Sequence, residues 1–348
     1  MRKSLKEIAW NVPEEVYRAN SAYSYSTIAK FDREGFDKLE TLFDKVESPS
    51  LLFGSVVDTL LTDGYDAFEK LFYVAEFPEL TDKVKLIVEA LFGEYKNTYN
   101  SLNKIPNDII IAYTESFEYQ RNWKPETRAK VIREQGGEYY SLLYLSADKR
   151  VISTQLYQDA MECVAQLKSS DATKWYFMDD SPFDDSIERC YQLKFKGEYD
   201  GIDLRCMADL IIVDHKNKII YPCDLKTSYK TEWNFYKSFY EWRYFEQAQL
   251  YAEIIKQNIA NDPYFKDFTV ANYRFIVVCN KTKTPLVWEY KDTFCTTDLT
   301  YGKQNQYVCR NWRNLVKELH YYLTENPKVP QNINVTIPND LIKFLNNE

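Results

Sequence analysis

Glycine is scarce, at 9 of 348 residues. Nothing in the chain matches the glycine pattern of a P-loop or of a dinucleotide fold, so chemistry built on those phosphate cradles is excluded. Histidine is scarcer still, at 2. His215 falls in a polar turn and His320 in a late helical stretch, which leaves little basis for a His-centred triad. The 7 cysteines, at 163, 190, 206, 223, 279, 295 and 309, stand singly. An odd count without close pairs argues against a disulfide framework, and the absence of any C-x-x-C argues against a zinc ribbon. The chain has no apolar run of 18 residues, and its opening, MRKSLKEIAWNVPEEV, has no apolar signal core. The expectation is a cytoplasmic protein that does not engage a membrane. An excess of basic charge is also missing: the net charge is −8. A chain of that sign meets nucleic acid only through a local basic face.

What is present begins with a sizeable apolar fraction, 45%, with 16% aromatics and 29 tyrosines. That composition buries a core and argues against disorder. No low-complexity linker and no internal repeat divides the chain, so one domain is expected over 1–348. Within it, 1–180 reads as mostly helical, 185–325 as an α/β core and 326–348 as a tail. The fold class is α/β: a mixed sheet from about 187 to 290, flanked by helices, behind a helical N-terminal half. Residues 23–46 open on Ser and Thr and then show helical spacing. The run from Leu51 to Leu61 is apolar except for Asp58 among its larger side chains. A lone buried carboxylate is costly unless paired or metal-bound; a helix-surface acid before the turn Thr62-Asp63-Gly64 is the other reading. Residues 82–100 and 152–168 read as helices, with a break expected at Gln135-Gly136-Gly137. Between 113 and 134, Arg121, Lys124, Arg128, Lys130 and Arg133 interleave with aromatics. Such a mixture suits a strand of nucleic acid, or simply a helix with snorkelling cations.

The chemistry gathers between Leu204 and Thr227. Two apolar runs, Asp209–Val213 and Lys218–Tyr221, flank the polar turn Asp214-His215-Lys216-Asn217 and read as a hairpin. A preceding strand, 187–196, begins with Glu188 and turns back at Tyr199-Asp200-Gly201. Residues i and i+2 on a strand share a face, so Asp224 and Lys226 point the same way. Strand pairing brings Asp209 across to them. Two carboxylates so placed can hold a hard divalent ion, and a neighbouring lysine can orient or deprotonate its water. After Lys226, Trp233–Asn258 reads as one long helix with Gln247 and Tyr251 on one face. A further hairpin, Tyr273–Cys279 with Pro285–Tyr290, continues the sheet, and 303–325 reads as the last helix.

An Asp, 14 residues, then Asp-Leu-Lys resembles the PD-(D/E)XK nucleases, and most nearly the exonuclease VIII-type (RecE-like) and RecB-type members. Three features carry the resemblance further. Leu204-Arg205-Cys206 precedes the first acid, Thr227 follows the lysine, and Gln247-Ala-Gln-Leu-Tyr251 matches the Q-x-x-x-Y motif with 20 residues between Lys226 and Gln247. Ala208 stands where the family has proline, a departure that affects backbone shape and no chemistry. The helix of Gly54 to Asp58 sits where the family carries Gly-x-x-x-His. The resemblance implies metal binding by Asp209, Asp224 and the Leu225 carbonyl, with Asp58 and Glu188 completing the shell. It implies catalysis by Asp209, Asp224 and Lys226, supported by Gln247 and Tyr251. The metal would be Mg²⁺ or Mn²⁺, without the iron–sulfur cluster of some relatives. The implied activity is exonucleolysis of linear duplex DNA in phage-type recombination, in a bacterial host cytoplasm. A ring-shaped homo-oligomer and a single-strand annealing protein are the implied partners. A nuclease-fold protein without catalysis, binding DNA ends or serving as a scaffold, is the alternative.

Overall fold

In the computed structural model, residues 2–44, 46–76, 78–146, 149–179, 185–291, 299–301 and 307–324 are described. The expected tail, 326–348, lies outside them. The chain divides into two compact units: Met1–Gly54 with Cys163–Glu348, and Ser55–Glu162.

The N-terminal half is helical. It runs through α1 (Glu14–Ala19), α2 (Tyr25–Glu34), α3 (Pro49–Asp58), α4 (Tyr65–Leu71), β1 (Phe72–Val74), α5 (Asp82–Tyr95), α6 (Asn107–Ser116), α7 (Pro125–Ser146), β2 (Arg150–Ile152) and α8 (Thr154–Ser169). The 23–46 helix is shorter than its pattern suggests. Gly35, at φ 67°, ends α2 in the left-handed region that glycine tolerates. In the second unit, Val84, Ile87 and Leu91 recur at helical spacing on α5 and bury against Ile132, Tyr139 and Tyr140 of α7. The expected break at Gln135-Gly136-Gly137 does not occur, and α7 runs straight through it. Gly136 is there for closeness, because a Cβ on it would meet Val88 Cγ2 at 2.4 Å.

The first unit is built on a mixed sheet. Its strands are β3 (Ile187–Tyr199), β4 (Ile202–Asp214), β5 (Ile219–Ser228), β6 (Thr269–Val270), β7 (Arg274–Cys279) and β8 (Pro285–Glu289). The order is β3-β4-β5-β7-β8, with β6 pairing β5. Successive pairs are antiparallel except β5 with β7 and β5 with β6, which are parallel. Asp200 and Gly201, at φ 55° and 77°, make the two-residue turn that joins β3 to β4. At the next turn Asp214 accepts from both the backbone and side-chain nitrogens of Asn217, at 2.8 and 2.7 Å.

A parallel neighbour needs a crossover, and the chain from β5 to β7 supplies it as α9 (Phe235–Glu241) and α10 (Tyr244–Ala260). The single helix expected over Trp233–Asn258 is interrupted by Arg243, which is left-handed at φ 61°. Leu250, Ile254 and Ile255 of α10 bury against Phe195 of β3 and Leu204 and Cys206 of β4 in one apolar core. A short antiparallel pair, β9 (Leu299–Tyr301) with β10 (Tyr307–Cys309), precedes α11 (Trp312–Thr324). That helix begins later than the 303–325 pattern suggests, and adds Leu315 and Leu319 to the same core.

Candidate active site

The β4–β5 ladder runs from Asp214↔Ile219 to Leu210↔Cys223. One step further along the same register, Asp209 stands opposite Asp224. There the two strands part. β5 continues from Cys223 to Ser228 beside β7, while β4 is met by Tyr23, whose carbonyl accepts from Arg205 N at 2.9 Å. The acids therefore sit at a fork, where an antiparallel ladder ends and a parallel one carries on. Gln192, facing Asp209 across β3, is left-handed at φ 52°, which marks a local distortion of the sheet beside the fork.

The carboxylates are held by specific partners. Asp209 Oδ2 accepts from Leu225 N at 2.9 Å, a bond across the opening strands. Asp224 is buried; the Lys226 ammonium pairs with its Oδ2, and the Gln247 amide donates to its Oδ1. The same ammonium lies 4.8 Å from the centre of the Tyr244 ring, a cation–π contact. Tyr251, one helical turn beyond Gln247, meets Tyr25 edge-on at 6.4 Å and Tyr273 at 6.3 Å. Behind Lys226, Thr227 comes so near Gly54 that a Cβ there would meet its Oγ1 at 3.3 Å. The first unit thus brings Asp209, Asp224, Leu225, Lys226, Gln247 and Tyr251 together.

Electrostatics fix the protonation of this cluster. Burial alone would depress Lys226, but Asp224, Tyr244 and Asp209 outweigh it and hold the lysine above its ordinary range. It is an ammonium at neutral pH. Burial, with added effect from nearby Asp224 and Asp209, pushes the Tyr251 and Tyr273 hydroxyls well up. Both are neutral donors. The Tyr273 hydroxyl and Gln247 Oε1 are buried with no hydrogen-bond partner among the described residues, the state of polar atoms that await water or a ligand.

The donor set fits a hard divalent ion. Asp209, Asp224 and the Leu225 carbonyl offer only oxygen, and Mg²⁺ is commonly held by one or two carboxylates with water and phosphate oxygens. Among the described residues no group of three or more His, Cys, Asp and Glu side chains is placed to hold an ion. Asp58 belongs to the second unit, at the end of α3, where its carbonyl accepts from Thr62 Oγ1 at 3.0 Å.

The place expected for Glu188 needs correction. Glu188 does not join the acids. It pairs with Val213, four residues from Asp209, about 13 Å of strand. Its carboxylate is taken up by Ser4 Oγ, by Leu5 N at 3.3 Å and by His215 Nε2 at 3.0 Å. This strand-end glutamate fastens the N-terminal segment and the hairpin turn. Among the 113–134 cations, Arg128 and Arg133 are taken up within their own unit. Arg128 is 5% exposed and pairs with Glu115 at 3.2 Å, so it cannot reach a DNA backbone. Arg133 donates to the Ile105 carbonyl. Arg121 and Lys130 are exposed, but pair with Glu118 and with Glu134 at 3.7 Å; Lys124 is exposed. Sequence reasoning missed Tyr25, Tyr244 and Tyr273, whose only trace is the high tyrosine count.

No family model and no curated protein matches the chain. The crystal structure of a Eubacterium rectale protein provisionally described as an exonuclease is similar over 100% of this chain and 88% of its own, at 13% identity and a TM-score of 0.40. Among the described residues no helix is long and apolar enough to cross a membrane.

Proposed function

We propose that the chain is a metal-dependent deoxyribonuclease of the PD-(D/E)XK kind, acting exonucleolytically on linear duplex DNA. One observation carries this: Asp209 and Asp224 face each other where β4 and β5 part, with the Lys226 ammonium paired to Asp224. Asp209, Asp224 and the Leu225 carbonyl would hold Mg²⁺ or Mn²⁺. The ion, when bound, lowers the pKa of its water and offsets charge on the phosphate. As an ammonium, Lys226 donates; it orients the attacking water and stabilises the phosphorane oxygens, and is not the base. Gln247 fixes the Asp224 carboxylate so that both strands present their oxygens to one point. Tyr251 and Tyr273, kept protonated by burial, can donate to phosphate oxygens. The water oxygen gives a proton to bulk solvent as it bonds to phosphorus, the P–O bond to the leaving sugar breaks, and solvent protonates that alkoxide.

At a net charge of −8, raw affinity for bulk DNA is low. We therefore propose that a ring of subunits, closed around the duplex, keeps the enzyme on its strand. The test is digestion of end-labelled linear and closed circular DNA by wild-type protein and by Asp224→Ala, with Mg²⁺ and with chelator. Wild type should degrade only the linear form and only with metal, and the variant should lose at least a thousandfold. Undiminished cleavage by Asp224→Ala removes the assignment; cutting of circles at the linear rate removes the exonuclease mode alone.

A further inference from the structure

Immediately after Lys226 the chain spends aromatic residues in water. Tyr229 is 51% exposed, Trp233 82%, Tyr236 40% and Trp242 44%. These are not leftovers of core packing, because the same segment buries Phe235, Phe239 and Tyr240. Trp233, Tyr236 and Lys237 follow one another at i, i+3 and i+4, on the outward side of the turn leading into α9 and of α9 itself. Between Tyr229 and Trp242 there is no Leu, Ile, Val or Met. Trp and Tyr serve protein and lipid surfaces too, so what selects the occupant is the ledge's continuity with the acid site. The charges nearly cancel: exposed Lys230 and Lys237 stand against Glu232 and Glu241. Ring faces, not a cationic field, are what this ledge offers.

The ledge is continuous with the active site at both ends. It begins two residues after Thr227, and closes on Tyr244, whose ring carries the Lys226 ammonium. At the far end the Trp242 carbonyl accepts from the Tyr25 hydroxyl at 2.5 Å, and Tyr25 in turn packs edge-on against Tyr251. The Arg33 guanidinium lies 5.1 Å from the Trp242 ring centre. The segment that carries these rings thus leaves the site after Thr227 and returns to it at Tyr244.

We propose that Tyr229, Trp233, Tyr236 and Trp242 form a stacking ledge for the unpaired bases of single-stranded DNA at the Asp209–Asp224 site. This rests on the nuclease reading for its meaning, and on the exposed rings alone for its binding. Base stacking on an aromatic side chain is worth enough to shift affinity by about tenfold or more per ring. With few phosphate contacts, the salt dependence of binding is shallow.

The test is anisotropy of a labelled oligodeoxythymidylate with the full chain in chelator, where no cleavage intervenes. Trp233→Ala and Tyr229→Ala should each weaken binding about tenfold, and Trp233→Phe should retain most of it. A blunt, fully paired hairpin should show no Trp233 effect. Wild-type affinity in Trp233→Ala overturns the proposal, as does an equal loss on the blunt hairpin. So does capture by phosphatidylserine vesicles that needs Trp233 while oligonucleotide binding does not. The nuclease assignment is scored separately, on Asp224→Ala digestion, so either can fail while the other stands.

Discussion

Replacing Lys226 by alanine tests the electrostatics of the site without touching a carboxylate. In the wild type its ammonium lies against Asp224, with Asp209 on the neighbouring strand. Residues directly opposite in an antiparallel pair have Cβ atoms about 5 Å apart. At an effective dielectric constant near 20, two unit charges at that separation repel by about 3 kcal/mol. Removing one partner of a well-buried pair costs about 3–5 kcal/mol, but the Lys226 side chain keeps 18% exposure. A net loss of about 2 kcal/mol is expected in chelator, or about 4–8 °C in Tm for a unit of this size. On the proposed metal site, added Mg²⁺ would supply the missing positive charge, so it should raise the variant's Tm more than the wild type's. The sign with pH follows from the raised Lys226 value. Its stabilisation is fully present below the ordinary lysine pKa of about 10.4 and fades as pH rises through the folded value. The gap between wild type and variant should therefore be flat from pH 7 to about 10 and close only above that. Thermal melts by circular dichroism, with and without Mg²⁺, check each part. A variant melting within a degree of wild type in chelator, or equal Mg²⁺ shifts in both proteins, would refute the charge balance described here.

Glu188→Gln should keep cleavage and an unchanged Mg²⁺ requirement, because that carboxylate serves the N-terminal segment. Burial works to raise Glu188, but the bonds from Ser4, His215, Cys190 and Leu5 win and lower it. Its contribution is present above the ordinary carboxylate value and lost as pH falls through the folded one. The variant should thus be about 1–3 kcal/mol less stable at pH 7, with the gap closing in acid; a tenfold shift in the Mg²⁺ titration would restore Glu188 as a ligand. Gly136→Ala should lower stability in urea melts by about 1–2 kcal/mol, since the clash with Val88 at 2.4 Å exceeds the helix-propensity gain of about 1 kcal/mol. A more stable Gly136→Ala protein would mean that α5 and α7 are not in close approach.

Much of this site was legible because its parts are local. The hairpin that carries Asp209 and Asp224 is written in alternating apolar residues and a polar turn, and i/i+2 spacing placed Lys226 beside Asp224 without any tertiary knowledge. The Gln247 and Tyr251 pairing needed only one helical turn. What failed were positions whose meaning depends on a distant neighbour. Gly136 looks like a helix breaker until Val88 and Leu102 of the same unit are set against it. Glu188 looks like a third site acid until Ser4, far away in sequence, arrives to bond it. Arg128 looks like a DNA contact until its burial and its pairing with Glu115 are known. Arg243 interrupts a helix whose apolar spacing gives no warning, and its guanidinium goes to Asp32 on α2.

The fork itself could not have been read from the hairpin. Two strands joined by a short turn would ordinarily stay paired along their length. β5 leaves β4 after Cys223 because a parallel partner, β7, takes its next five residues, and β7 reaches it only after α9 and α10 have crossed the sheet. β4, left with an open edge, takes Tyr23 from just before α2. The site therefore needs three separate segments of chain before its two acids are exposed to one another but not sealed into a ladder. Three of the tyrosines that surround them come from the same crossover, Tyr244 and Tyr251 on α10 and Tyr273 before β7, and the fourth, Tyr25, comes from α2. Their abundance in the sequence had no address until the crossover supplied one. That dependence also explains why the lysine is an ammonium. Asp224 first, with Tyr244 from α10 and Asp209 from β4 adding to it, outweighs the cost of burying the lysine.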